Sequence, residues 1–476
     1  MALNATQQWW VRAGGNALNG GGFDAAISGA GTNYSDQDAP QLSLSDFTTS
    51  GAGSTTLTSA TGGFTAAMIG NIVRIASGTN FQTGYYAVTA VADTNNATLD
   101  RTPTSGGAGS SGVGRLGGAF ATLLNVSTGG GGGFSAPPLT TPLAAGHTVN
   151  VRGAGTDDPS SADYTHTGGY FIFPSGSTAS GRVKFVGYNG RPRFNCDALF
   201  AYQVTLHWWT NFKFVQQNST NGTLGVISPT NDVVVDNLYI DCNGFDCVGM
   251  SASSVRNCRF TNSGSSAAGS TTLAAIICTP SGVGFSAVGN WINGWRGDGI
   301  YVGSYGPNIL NNVIINCKKN GIEVNGQISG SSLTHLHNNT IFGNSLDGIK
   351  VNGTQDIVSI DAIMNNIVVS NGGYGINCAA GSTTPNDKLI ATRWDYNAFY
   401  NNTSGSYNAM SAGANDVALG SDPFVNAAAG NFARVSGAPG FPATFPVATT
   451  VSYVEIGAVQ RVNRISDLGA GLFAKM

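Results

Sequence analysis

Between Asn290 and Cys378 short apolar bursts alternate with polar corners in a pattern that returns four times: NWINGWRGDGIYV, NVIINCKKNGIEV, NTIFGNSLDGIKV and NIVVSNGGYGINC. Each copy opens on an Asn (Asn290, Asn312, Asn339, Asn366) and ten residues later places an Ile after a Gly (Ile300, Ile322, Ile349, Ile376). The copies start 22, 27 and 27 residues apart, a spacing that suits one turn of a solenoid and is too long for a heptad or hairpin repeat. Inside each copy two β-branched runs have strand period, and the Asn/Gly corners between them have turn chemistry. The pattern predicts stacked coils of a parallel β-helix, with strands about 4.8 Å apart and like residues lying on like residues.

Stacking explains the residue choices. An Asn repeated at one corner can bond the next amide and the backbone groups that the bend leaves unpaired. Gly before the Ile is expected to supply a positive φ, while Ile and Val point into a narrow dry interior. The Asn rule extends upstream to Asn211, Asn237 and Asn257, with Cys247 in the Ile slot, and downstream to Asn397.

Six further stretches carry a resemblance. QWWVRAGGNALNGGGF at 8–23, GGAFATL at 117–123 and AAGHTVNVRGAG at 144–155 come in an order that resembles the opening of right-handed parallel β-helix proteins of the pectate-lyase-like superfamily. GRVKFVGYNGRPRF at 181–194 resembles their second-coil strand, and SDPFVNAAAGNFARVSGAPG at 421–440 with YVEIGAVQR at 453–461 resembles their closing segment. The block at 28–116 interrupts the opening. Its runs STTLTS, GNIVRIAS, TGYYAVTAVAD and NATLDR, separated by turn signals, predict a small antiparallel barrel or sandwich that resembles modules of bacteriophage tail and capsid-associated proteins. The Gly/Ser stretch at 105–118 and the glycines at 129–133 read as flexible returns to the main body. The expected organisation is all-β: a first strand and cap at 1–27, the inserted module at 28–116, the right-handed parallel β-helix at 117–460 and a tail at 461–476.

Composition narrows the function classes. Charged residues are 10% and hydrophobic ones 41%, which argues against disorder, and a net charge of −3 with no basic stripe gives nucleic-acid binding no support. No apolar run reaches the eighteen or so residues that span a membrane, and MALNATQQWWVRAGG lacks the layout of a signal peptide. The seven cysteines (Cys196, Cys242, Cys247, Cys258, Cys278, Cys317, Cys378) form no C-x-x-C, so a zinc site is not expected, and most read as small buried hydrophobes rather than disulfide partners. No motif calls for a cofactor.

The superfamily resemblance implies a site on an outer groove, where paired carboxylates or an acid with an Arg or Lys act on polysaccharides. The carboxylates at coil corners are Asp298, Glu323 and Asp347, with Arg296, Lys318, Lys319 and Lys350 close in sequence. Asp298 and Asp347 share a slot two coils apart, roughly 9–10 Å, which would suit an inverting pair. The plainer reading is a solvated corner, with Glu323 and Lys350 paired across adjacent coils. Trp295, Tyr301 and Arg296 are the candidate glycan-binding residues; Trp208 and Trp209 are further aromatics that could stack on sugar faces, and Trp291 reads as buried. Asp236, Asp241 and Asp246 lack a calcium-loop pattern. His335 and His337 point the same way on a strand but show no third ligand.

With no convincing catalytic constellation, no visible leader, low charge, no expected disulfides and the phage-like module, the resemblance implies a virion surface appendage, tailspike-like or head-decorating. It would be a homotrimer contacting other virion proteins and cell-surface polysaccharide. The alternatives are a polysaccharide lyase or glycoside hydrolase working in a solenoid groove, and a secreted protein. Fold alone decides none of these.

Overall fold

The computed structural model describes residues 3–435 except 128, 132–141, 167–169, 197–200, 203–205, 218–221, 224–225, 228–232, 244–246, 249–252, 263–273, 279–284, 304–305, 325–333, 352–357 and 379–388. The closing strand expected at 453–461 and the tail at 461–476 lie outside them. Among the described residues no helix is long and apolar enough to cross a membrane. The chain is a right-handed parallel β-helix that divides into two compact units, one reaching Lys213 and the other starting at Phe214.

In the first unit the opening strand Gln8–Val11 pairs in parallel with Thr148–Arg152, which pairs with Val183–Tyr188, which pairs with His207–Thr210. Trp9, Val149, Phe185 and Trp209 lie in one inward column, and the last two stack face to face with centroids 3.8 Å apart. Trp209 is therefore core, not a sugar platform.

The module is a six-stranded antiparallel sheet in the order Leu42–Phe47, Ser110–Leu116, Ile72–Thr79, Gly84–Asp93, Asn96–Leu99, Thr56–Thr58. A two-way bridge between Thr48 and Thr58 joins its first and last strands, so the sheet closes into a barrel around Phe47, Leu57, Phe64, Val73, Ile75 and Val88. Ser110–Leu116 corrects the expectation of a flexible return at 105–118. Its glycines let two strands close over it: a Cβ on Gly114 would stand 2.4 Å from the Arg74 carbonyl and 2.8 Å from the Phe47 ring. The module is docked on the opening strand, where Trp9 lies 6.0 Å from the Phe120 ring and 5.8 Å from that of Tyr85.

The second unit is built of three parallel sheets. The first runs from Val234–Asp236 through Ser286–Val288, Asn308–Leu310 and Thr334–His337 to Leu389–Asp395, and the second from Tyr239–Asp241 through Trp291–Asn293 and Val313–Ile315 to Val417–Ala418. The third stacks Ile276–Cys278, Ile300–Val302, Ile322–Val324, Ile349–Val351, Tyr374–Asn377 and Gly405–Asn408. Ile300, Ile322, Ile349 and Ile376 are register partners, as the fixed offset predicts.

The reason for the preceding glycines differs from the expected one. Gly299, Gly321, Gly348 and Gly375 have no positive φ. They are needed for close approach: a Cβ on Gly348 would stand 2.3 Å from Val368 and 2.7 Å from the Gly375 carbonyl, and the other three are equally hemmed in.

The asparagines divide into two slots. Asn290, Asn312, Asn339, Asn366 and Asn397 are buried and form one ladder, in which each backbone N–H and side-chain Nδ2 donates to the Oδ1 of the next Asn at 2.9–3.1 Å. Nδ2 also donates to a carbonyl of the preceding coil, so every polar atom of the amide is used. Asn237 and Asn257 are not rungs. They precede that slot and carry φ of 54° and 52°, a left-handed corner shared by Asn311, Asn338 and Asn365 at 56–58°, while the rung slot holds Leu238 and Cys258. Asn211, in the first unit, likewise has φ 64°. An Asn tolerates the left-handed region and the interior slot for different reasons, so sequence alone merges the two.

Cys196, Cys258, Cys278, Cys317 and Cys378 are free and buried, as expected of small core residues. Cys242 is disulfide-bonded, which removes one of the supports for the virion reading.

Candidate active site

Three carboxylates were candidates, and the structure gives them different surroundings. Asp298 and Asp347 occupy the slot before the close-approach glycine, with Asn320 on the coil between them. The Asn320 N–H donates to Asp298 Oδ1 at 2.9 Å, the Asp347 N–H to Asn320 Oδ1 at 3.1 Å and the Tyr374 N–H to Asp347 Oδ1 at 2.7 Å. This is a second kind of ladder, polarised opposite to the Asn290 one, since here the later coil donates to the earlier. Asp298 is its last acceptor, because the preceding coil has Ala274 at this level.

Asp347 has both oxygens engaged, the second by Asn377 Nδ2 at 2.8 Å. It is a rung of this ladder, and the carboxyl bridged to Asp298 is that of Glu323. Asn320 Nδ2 donates one hydrogen to Asp298 Oδ1 at 2.9 Å and the other to Glu323 Oε2 at 3.0 Å. Those arms hold the two oxygens no more than about 6 Å apart, close to the spacing of retaining glycosidase carboxyls and short of that of inverting ones.

Asp298 is only 1% exposed, and its pKa is pushed up to about 6. Burial is the largest cause and the charge of Glu323 the second; the Asn320 hydrogen bonds and Lys319 oppose them. Glu323 is half-buried on the outer side of the third sheet, with Tyr301 beside it on one strand and Lys350 on the other. Alternation along Ile-Tyr-Val, Ile-Glu-Val and Ile-Lys-Val fixes this column: the flanking aliphatics turn inward, so the middle residue turns out. Arg296, half-buried, belongs to the same corner as Asp298.

Trp295 is not a sugar platform. It is fully buried, edge-on to Phe260 at 6.1 Å, in the interior slot that later coils fill with Cys317, Asn344 and Asn371. Trp208 is half-buried on the outer side of its strand. Trp291 is half-buried on the outside of the second sheet, where the ring of Phe432 meets it at 5.6 Å. Asp236 accepts from Asn257 and Asp241 from the Asn243 N–H, while Asp246 lies outside the described residues. Among the described residues no three or more His, Cys, Asp and Glu side chains converge on a point that could hold a metal ion. Sequence reasoning gives Asn320 no role, although it stands between the two acids in one slot.

No family model and no curated protein matches the chain. Among solved structures, it is similar at 10% identity to the catalytic domain of a GH87 alpha-1,3-glucanase in complex with tetrasaccharides, over 81% of this chain and 91% of that one, with a TM-score of 0.29. The same domain in complex with nigerose gives 10% identity, 80% and 90% coverage and a TM-score of 0.30. The Agl-KA catalytic domain gives 12%, 80%, 88% and 0.24. Scores this low carry no weight for function, which rests below on the corner at Asp298.

Proposed function

We propose that this chain is a glycoside hydrolase acting on a polysaccharide at the Asp298–Glu323 corner. The observation that carries the reading is a buried carboxyl kept protonated up to about pH 6 beside a second carboxyl bridged to it by one amide. Asp298 would donate its proton to the glycosidic oxygen as the carbon–oxygen bond breaks, and Glu323 would attack the anomeric carbon. Water, deprotonated by Asp298 in the second half, would then release the sugar with retained configuration. Tyr301 lies beside Glu323 on the neighbouring strand.

The test is release of reducing ends from a panel of neutral and uronate-containing polysaccharides. Asp298→Asn and Glu323→Gln should each lower kcat by roughly 10²–10⁴, Asp347→Asn should leave it within a few-fold, and activity should fall as pH rises past about 6. No cleavage of any polymer, or a fully active Asp298→Asn, would sink the reading.

The alternative is a trimeric virion appendage. It draws on the closed barrel between the opening strand and the first coils. Light scattering behind a sizing column tests it: a stable trimer with no cleavage supports the appendage, and a monomer that cleaves supports the hydrolase.

A further inference from the structure

We propose that Arg74 and Arg115 form a binding site for one tetrahedral oxyanion of the phosphate or sulfate class, on the seam between the inserted barrel and the loop at 16–20. The two are register partners on adjacent antiparallel strands, so their side chains leave the barrel on the same outer side with Cβ atoms about 4.5–5.5 Å apart. Arg74 is only 3% exposed, and its Nη1 donates to the Ala17 carbonyl of that loop. Arg115 is half-buried, and its Nη1 reaches Asn19 Oδ1 at 3.4 Å.

An arginine buried to this degree is ordinarily paired with an acid, and a second cation directly opposite on the ladder adds repulsion. Neither arginine has an acid. Among the described residues no carboxylate forms an ion pair with Arg74 or Arg115, and both protein acceptors are neutral oxygens. Asn19 is held with Oδ1 toward Arg115, because its Nδ2 donates to the Asp38 and Ala119 carbonyls. Burial pushes the Arg74 guanidinium below its usual range, and the charge of Arg115 adds to this. The outer row runs Ser43, Arg115, Arg74, Tyr85 across four strands. Ser43 is exposed and offers a hydroxyl at the open end, while the Tyr85 ring closes the other, its centroid 5.9 Å from Arg74 Cζ. A dianion lodged over Arg115 and Ser43 offsets both cations and accepts from planar guanidinium donors that match its oxygens. A carboxylate carries one charge and leaves one arginine uncompensated.

The test is calorimetric titration of the full chain with inorganic phosphate and sulfate, with acetate and chloride as controls at matched ionic strength, on wild type and Arg115→Ala. Removing the half-buried Arg115 leaves the Arg74 bond to the loop in place, so the variant keeps the seam that the buried residue holds. Expected are one phosphate or sulfate per chain and an affinity lower by about tenfold or more in Arg115→Ala. Phosphate should also raise the thermal midpoint of wild type more than that of the variant. Glucose 6-phosphate separates the sources: binding as tight as that of inorganic phosphate supports a site for a phosphorylated glycan, and binding of the inorganic ions alone supports a site for the free ion. No saturable binding, acetate that binds as tightly as phosphate, or an affinity unchanged in Arg115→Ala overturns the site.

Discussion

Asp298 has a carboxyl where the next coil uses an amide, and the cost of that choice is measurable. Its pKa in the folded chain, about 6, lies above the ordinary carboxylate value of 3.8, so the folded state holds the extra proton between those values. Stability is therefore fully present below about pH 4, falls as pH rises toward 6 and is flat above that. Asp298→Asn should keep the acceptor for Asn320 and remove the loss. It should raise stability at pH 7 on the order of 1–3 kcal/mol, with the gain vanishing below pH 4, as thermal midpoints across pH would show. A stabilised and inactive variant is the signature of a residue held for chemistry; no gain at pH 7 would mean that Asp298 is as well housed as Asp347. Asn339 makes the opposite case. Replacing it by Ala strands the Asn312 N–H and the Ile309 carbonyl in a dry interior, and a loss of about 2–4 kcal/mol is expected in denaturant titration.

Elements are held in place by what covers them. The outer face of the second sheet is apolar along Trp291, Val313, Ile315, Phe342, Ile367 and Val369, an unusual choice for an exposed face. The antiparallel pair Phe424–Asn426 and Asn431–Arg434 lies over it, burying Phe424 and Phe432. The two strands meet through Ala427–Ala429 and Gly430, whose φ of 80° makes the tight return. Phe432→Ala should cost roughly 3–5 kcal/mol and increase binding of a hydrophobic dye, without changing the first or third sheet. A dye signal equal to wild type would show that the pair is dispensable cover. Asp416 has a related role at the end of the Asn290 ladder, where its carboxylate accepts the Asn397 N–H and Nδ2 and the Tyr407 hydroxyl.

At the scale of the whole molecule a solenoid is a sum of neighbouring coils, and its length is adjustable. Asn312 and Asn339 occupy one slot, so deleting residues 312–338 removes one repeat and joins equivalent positions. The product should be soluble with an unchanged β-sheet circular dichroism spectrum per residue, and should have lost hydrolysis together with Asn320 and Glu323; aggregation would show that these coils are not interchangeable. Sequence determined the fold class, the stacking of Ile300, Ile322, Ile349 and Ile376 and the outward column of Tyr301, Glu323 and Lys350, because strand period and repeat spacing are one-dimensional quantities. It could not separate Asn290 from Asn257, since an interior rung and a left-handed corner accept the same side chain. Nor could it bury Trp295 or tell Asp298 from Asp347. Those outcomes depend on which coil lies above and which below, and only tertiary stacking decides whether a carboxyl has both oxygens engaged or shares one amide with a second acid.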